Sequence, residues 1–376
     1  MSNQSGLAKK NSWIKQNWLV ILCGLLVGTA AVVLTKLGNP GNMGFCIACF
    51  LRDIAGALGL QSAGSSAEAF TSRIVSNFRP EIVGIIVGAC VIALCTKEFK
   101  PKGGSSPFTR FLLGVLVMMG ALVFLGCPLR MVIRIGGGDL NAIVGLGGFV
   151  VGILAGLVFL KLGFSLGRAH KQTKTEGLAF PIVMVGLFII SLVGTVFFTS
   201  DGAPGKAAAP WYIALAIAIV VGILAQKSRL CFVGGIRDAV MFREFGLLFG
   251  FIGVIAAVLI GNAITGNLHW GFMIDEATAQ PVAHTEGLWN FLGMTLVGWG
   301  CVLLGGCPLR QLVLAGEGNT DSAITVMGMI VGGGLSHTLK IASSGKGTGA
   351  NGPTAVIVGL VIVLIISLVN LKKGKK

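Results

Sequence analysis

Four cysteines stand where sulfur could meet a ligand. Cys127 and Cys307 each open a Cys-Pro-Leu-Arg sequence, preceded by Gly126 in one case and Gly306 in the other. Proline directly after cysteine suits the first turn of a helix, where its missing N–H costs nothing, so the cysteine falls at the N-cap. Free backbone N–H groups and the positive end of the helix dipole attract an anion there, and the same field favours a thiolate. Arg130 and Arg310 add planar forks of donors suited to oxyanions. Cys46 and Cys231 share a second pattern, each followed six residues later by an Arg-Asp pair, Arg52-Asp53 and Arg237-Asp238. The candidate binding residues are therefore Cys46, Cys127, Cys231 and Cys307 with Arg52, Arg130, Arg237 and Arg310.

Two other chemistries compete for the same residues. Cys46-Ile-Ala-Cys49 spells a Cys-x-x-Cys redox motif, but its counterpart Cys231-Phe-Val-Gly234 lacks the second cysteine. Metal binding would need histidines near the cysteines, whereas His170, His269, His284 and His337 are scattered, so neither a metal nor a cofactor is expected. His269 and His284 read as solvated loop residues. Cys23, Cys90, Cys95 and Cys301 do not recur at matching places and read as small buried hydrophobes.

The motifs come twice in the same order and at nearly the same separation. Beyond the second motif the match runs without gaps, with Gly136, Gly138, Gly148 and Gly152 opposite Gly316, Gly318, Gly328 and Gly332, and with Asp139 and Asn141 opposite Asn319 and Asp321. Each half thus keeps one carboxylate and one amide, which read as caps of the following helix. The expected units are residues 1–200 and 201–376.

The elements that must position these residues lie in a membrane. The 376-residue chain is 54% hydrophobic and 11% charged, against about 25% charged in soluble domains. Its 58 glycines suit close helix packing in lipid. The net charge of +15 sits in short loops, which argues against a nucleic-acid partner. The nine cysteines lie in or beside apolar stretches, where extracellular cross-bridges are not expected. The basic start, Lys9, Lys10 and Lys15, leads into an apolar run too long for a signal-peptide core.

Apolar runs near bilayer length fall at about 18–37, 81–96, 110–126, 140–160, 178–199, 210–226, 246–263, 288–306, 321–339 and 354–371. That predicts an all-α polytopic membrane protein with ten transmembrane helices, or nine if the short second run does not cross. Trp18, Trp211, Tyr212 and Trp289 mark span starts as interfacial anchors. Basic segments at the N-terminus, 97–110, 161–174, 227–243 and the tail Lys372 to Lys376 go inside. The loop 201–209 and the long loop 265–286, with Asp275, Glu276 and Glu286, go outside, so both termini are cytoplasmic. Five spans per half is odd, so the halves enter the bilayer as inverted repeats, as in many transporters. The segments after Cys46 and Cys231 are too short to cross and read as re-entrant or interfacial half-helices. Arginines at such depth are costly unless they face a polar cavity or partner. Aspartates and glutamates are missing from the span interiors, so no carboxylate relay is expected.

Two inverted halves, each with a Cys-x5-Arg-Asp segment and a Gly-Cys segment followed by a glycine-rich turn, resemble the YeeE/YedE family of bacterial inner-membrane transporters. The doubled Cys-Pro-Leu-Arg is most similar to its YedE-like branch, associated with selenium compounds. The resemblance implies a transporter, not an enzyme, that passes a small sulfur- or selenium-containing anion such as thiosulfate between thiols by S–H hydrogen bonds. It places that role on Cys46, Cys127, Cys231 and Cys307, in the bacterial inner membrane, and admits a cytoplasmic sulfur-carrier protein as partner. The rival readings are a membrane thiol oxidoreductase or sulfurtransferase using Cys46 and Cys49, and a soft-metal or organic-thiol carrier. Cys49→Ala separates the first of these, since a thiol relay through the four motif cysteines survives it and dithiol chemistry does not.

Overall fold

The computed structural model describes residues 2–61, 77–194, 196–199, 207–272 and 281–371, with side chains from residue 17 onward. The tail Lys372 to Lys376, Asp275, Glu276 and the 200/201 boundary between the expected units lie outside the described residues, as do the side chains of Lys9, Lys10 and Lys15.

Helices stand at all ten places that the apolar runs marked. They are α1 (Ser2–Lys36), α3 (Pro80–Cys95), α4 (Pro107–Phe124), α6 (Leu140–Lys161), α7 (Lys174–Val193), α8 (Trp211–Ser228), α10 (Gly246–Thr265), α11 (Gly287–Leu304), α13 (Thr320–Thr338) and α14 (Gly352–Val369). Among the described residues four short helices lie between them: α2 (Ile47–Ala57), α5 (Pro128–Gly136), α9 (Phe232–Phe242) and α12 (Pro308–Gly316). Among the same residues eight segments are long and apolar enough to cross a bilayer, three of them formed by a long helix and the short one after it. Helix α3 has only 16 residues, and Thr320, Asp321, Ser322 and Thr325 dilute the apolar character of α13. The chain is an all-α polytopic membrane protein, with one two-stranded ribbon in which β1 (Lys102–Gly103) pairs antiparallel with β2 (His170–Lys171).

The packing repeats with an offset of seven helices. Helix α1 packs on α10 as α8 packs on α3, and α4 packs on α13 as α11 packs on α6. Helices α4 and α11, which correspond to each other, cross directly, as do α1 and α8. The halves therefore interdigitate rather than sit side by side. Glycines make the close crossings possible. A Cβ on Gly148 would run into the Phe291 carbonyl, and one on Gly328 into that of Phe111. Gly152 and Gly332 meet the carbonyls of Thr295 and Val115 in the same way. In both pairs of contacts glycine and carbonyl shift together by one repeat length, so the duplication extends from the motifs to the helix interfaces.

Loops divide the bundle into two ends. One end carries residues 37–41, 207–210, 266–272 and 281–286, joined by the Ala209 N–H to Asn39 Oδ1 (2.8 Å) and Lys36 Nζ to the Thr265 carbonyl (3.5 Å). The other carries the ribbon, which rests on the turn between α12 and α13. There the Lys100 N–H donates to the Glu317 carbonyl (3.3 Å), and Asp321 Oδ1 accepts from the N–H groups of Gly104 (2.8 Å) and Ser105 (3.1 Å). The caps at the starts of α6 and α13 are those expected: Asp139 accepts from the Asn141 N–H and Asn319 from the Ser322 N–H.

Overpacking a tight helix crossing costs about 1–3 kcal/mol. Gly148→Ala and Gly328→Ala are expected to lower the thermal midpoint of the detergent-solubilised protein by similar amounts. Gly186→Ala, where a Cβ meets nothing within 4 Å, should not lower it. Scanning fluorimetry on the three variants checks both statements.

Candidate functional site: two thiol pairs at half-helix starts

All four motif cysteines occupy N-caps. Cys46 precedes α2, Cys127 precedes α5, Cys231 precedes α9 and Cys307 precedes α12. Cys46 Sγ accepts from the Cys49 N–H at 3.4 Å, and Cys231 Sγ from the Gly234 N–H at 3.3 Å. The thiols then pair within each half. Cys46 and Cys127 share a side-chain hydrogen bond, as do Cys231 and Cys307. The Cys127 sulfur also faces the backbone N–H groups of Ala48 and Arg130, at the starts of two different half-helices. Each pair thus sits where two helix N-termini converge, in a field that favours negative charge. All nine cysteines are free thiols.

The half-helices set the depth of these pairs. Helix α5 runs from Cys127 to the bundle end carrying residues 266–272, where the Leu140 N–H meets the Gly271 carbonyl. Helix α12 runs from Cys307 to the ribbon end. Nine helical residues span about 13 Å, so each pair is set back from its own end toward the middle of the bundle.

The breaks before the cysteines leave helix-end carbonyls that bilayer water cannot satisfy. After α4, Arg134 Nη1 donates to the Phe124 carbonyl (2.8 Å), and His284 Nε2 and Ser343 Oγ donate to that of Val123 (2.8 and 2.6 Å). After α11, Gln311 Nε2 donates to the Leu304 carbonyl (3.2 Å). His284 is therefore not the solvated loop residue expected: it is buried. Its Nδ1 accepts from the Glu286 N–H, which places the ring proton on Nε2, and burial pushes its pKa down. Gly126 and Gly306 make room for the following arginine, because a Cβ at either would strike the side chain of Arg130 or Arg310.

The two arginine sets differ. Arg52 and Arg79 share Asp53 in a buried triad, with Arg52 Nη2 to Oδ1 at 2.7 Å and Arg79 Nε to Oδ2 at 2.6 Å. Arg130 is fully buried and donates to the Asn42 carbonyl (3.0 Å), the Val282 carbonyl (2.6 Å) and Cys49 Sγ (3.1 Å). Behind it Arg134 pairs with Asp139 at 2.7 Å. In the second half Arg237 pairs with Asp238 at 2.8 Å and Arg310 with Glu317 at 3.1 Å, and these guanidiniums are 32% and 14% exposed. All of α2 is buried, whereas only the first four residues of α9 are.

Sequence reasoning did not find Arg79, Arg134, Glu317 or the place of Cys49 beside Arg130. Arg134 had a signal, lying one helical turn after Arg130 on the same face. Cys301, expected to be filler, lies close to Cys231 of the pair that it forms with Cys307. Glu81 at the start of α3 is buried, accepting from Asn39 Nδ2 at 2.8 Å. No group of metal-binding side chains occurs among the described residues.

Residues 227–371 match the sequence profile of a family described as "Sulphur transport", a stretch that contains Cys231, Arg237, Asp238, Cys307 and Arg310. The chain is also 28% identical over 170 residues to the thiosulfate transporter TsuA of Escherichia coli K12. That alignment covers 42% of this chain and 46% of the relative, so the chain spans less than half the length of the curated relative it matches.

Two variants test the energetics. Asp53→Asn leaves two buried guanidiniums without their carboxylate, a loss worth about 3–5 kcal/mol. Asp238→Asn removes a partly exposed pair worth about 0–1 kcal/mol. Thermal melts should show a large loss for the first and a small one for the second. Cys49 is the third test, because Cys49→Ala takes an acceptor from Arg130 while Cys49→Ser keeps one. The contact with Arg130 revises the expectation that transport survives Cys49→Ala: Cys49→Ser should keep transport close to the parent rate and Cys49→Ala should reduce it several-fold, read by anion uptake into proteoliposomes.

Proposed function

We propose that this chain carries a small sulfur-containing anion, thiosulfate-like in size and charge, across the bacterial inner membrane between its two thiol pairs. One observation carries the reading. In each half the two motif cysteines meet at the converging N-termini of two half-helices, with an arginine of the same motif alongside. An anion entering this setting finds helix dipoles, S–H donors and guanidinium groups in succession. A thiol both donates and accepts weakly, and several weak contacts favour passage over trapping. Soft sulfur on the protein suits sulfur on the ligand, and selenium in the same position fits equally well. The family match and the thiosulfate-transporting relative support transport over enzymatic chemistry.

On this reading residues 1–200 and 201–376 are inverted repeats. The end carrying residues 281–286 faces outside, the ribbon end faces the cytoplasm, and both termini are cytoplasmic. Cys46 and Cys127 then form the outer station, Cys231 and Cys307 the inner one. Basic residues concentrate at the ribbon end, including Lys97, Lys100, Lys102, Arg168 and Lys171, as the positive-inside rule requires. A cytoplasmic sulfur-carrier protein could collect the anion there.

A dithiol or sulfurtransferase reading stays in play through one contact, the Arg130 guanidinium on Cys49 Sγ, which would stabilise a Cys49 thiolate. Uptake of labelled thiosulfate and selenite into proteoliposomes decides. The parent protein should accumulate at least one label. Cys127→Ala and Cys307→Ala should each cut the rate by an order of magnitude or more. Parent-rate transport by both variants would remove the thiol relay, and absence of uptake by the parent protein would remove the function.

A further inference from the structure

The two stations differ in what neutralises the arginine after Cys-Pro-Leu. Arg310 holds Glu317, Nη1 to Oε1 at 3.1 Å. The position matching Glu317 in the first half is Gly137. Arg130 accordingly spends its donors on two backbone carbonyls and a sulfur. Those carbonyls belong to Asn42 and Val282, non-glycine residues with φ of +55° and +52°, a conformation that costs most for a β-branched side chain. An incoming anion at the outer station therefore replaces weak neutral acceptors held by strained backbone. At the inner station it must displace a carboxylate of the protein.

We infer that Glu317 is a built-in competitor for the transported anion, which takes Arg310 back once the anion reaches the inner station and so speeds its release to the cytoplasm. The exchange does not strand the carboxylate. Arg229, in the turn after α8, and Lys102, on the ribbon, both act favourably on Glu317, so it keeps positive neighbours while the anion holds Arg310. Partial exposure of the pair, 14% for the Arg310 side chain and 19% for that of Glu317, lets water complete the swap. Gly137 cannot act in this way, and the outer station keeps the arginine without a carboxylate that an arriving anion needs. The duplicated site thereby acquires a capture end and a release end.

This inference rests on the transport reading above, and the test separates the two. Glu317→Gln keeps a hydrogen-bond acceptor for Arg310 and removes the charge, while Glu317→Asp keeps the charge. Equilibrium binding of thiosulfate to purified protein should tighten about tenfold in Glu317→Gln. Its uptake should saturate at lower thiosulfate with a maximal rate several-fold below the parent, and Glu317→Asp should restore most of that rate. A second readout uses the parent protein. Burial raises the pKa of Glu317 against the opposing pull of Arg310, Arg229 and Lys102, so acidifying the ribbon side protonates it above the ordinary carboxylate range. Release should then slow as pH falls, and this slowing should be absent in Glu317→Gln. Parent transport with unchanged binding and rate in Glu317→Gln overturns the competitor role alone. Equal loss of rate in Glu317→Gln and Glu317→Asp also overturns it, pointing to a structural pair. Failure of the parent protein to bind or move thiosulfate overturns the transport reading instead.

Discussion

A helix that stops inside a bilayer exposes carbonyls and N–H groups to a medium that cannot hydrogen-bond them, and α4 and α11 both stop within segments long enough to cross one. The carbonyl ends are closed from a distance, by Arg134, His284 and Ser343 after α4 and by Gln311 after α11. The N–H ends are left to the cysteines, as where Cys46 and Cys231 accept from the Cys49 and Gly234 N–H groups. That division explains why buried polar side chains gather around the breaks and why glycine precedes each Cys-Pro-Leu-Arg.

The arginines around the Cys46 and Cys127 pair follow from the same constraint. Arg52, Arg79 and Arg134 each reach a carboxylate, and the cost of keeping them dry is offset by close ion pairs and by rings: Arg79 lies over Phe50 and Arg134 over Phe124, 4.8 and 4.3 Å from the ring centroids. Arg130 is the member held by carbonyls and sulfur instead. Full burial without a carboxylate is expensive for a guanidinium, and an anion delivered to it would lower that cost. Of the two thiol pairs, that of Cys46 and Cys127 therefore has more to gain from a negative charge nearby.

Much of this was legible in the chain itself. Apolar runs placed the ten long helices and proline after cysteine placed α5 and α12, while the doubled motifs marked the four cysteines but not their pairing within each half. What could not be read depends on contacts across long separations. His284 meets the Val123 carbonyl from far along the chain, and nothing local distinguishes it from a loop histidine in water. Cys49 looked like half of a redox motif without a counterpart, until folding set Arg130 beside it. Glu317 was visible only as one charge in a glycine-rich turn, although the ungapped match with Gly137 already marked the place where the halves differ.

The interlocking of the halves bears on how the protein is made. Helices α1, α3, α4 and α6 lay their principal faces against α10, α8, α13 and α11, partners that the ribosome has yet to produce when the first half emerges. Until then those faces, notched by glycine, must rest against lipid or against an insertion factor, and the first half has no closed structure of its own to fall into. Biogenesis of such a fold is a single late event, and the quality-control proteases of the membrane have the whole interval of synthesis in which to intervene.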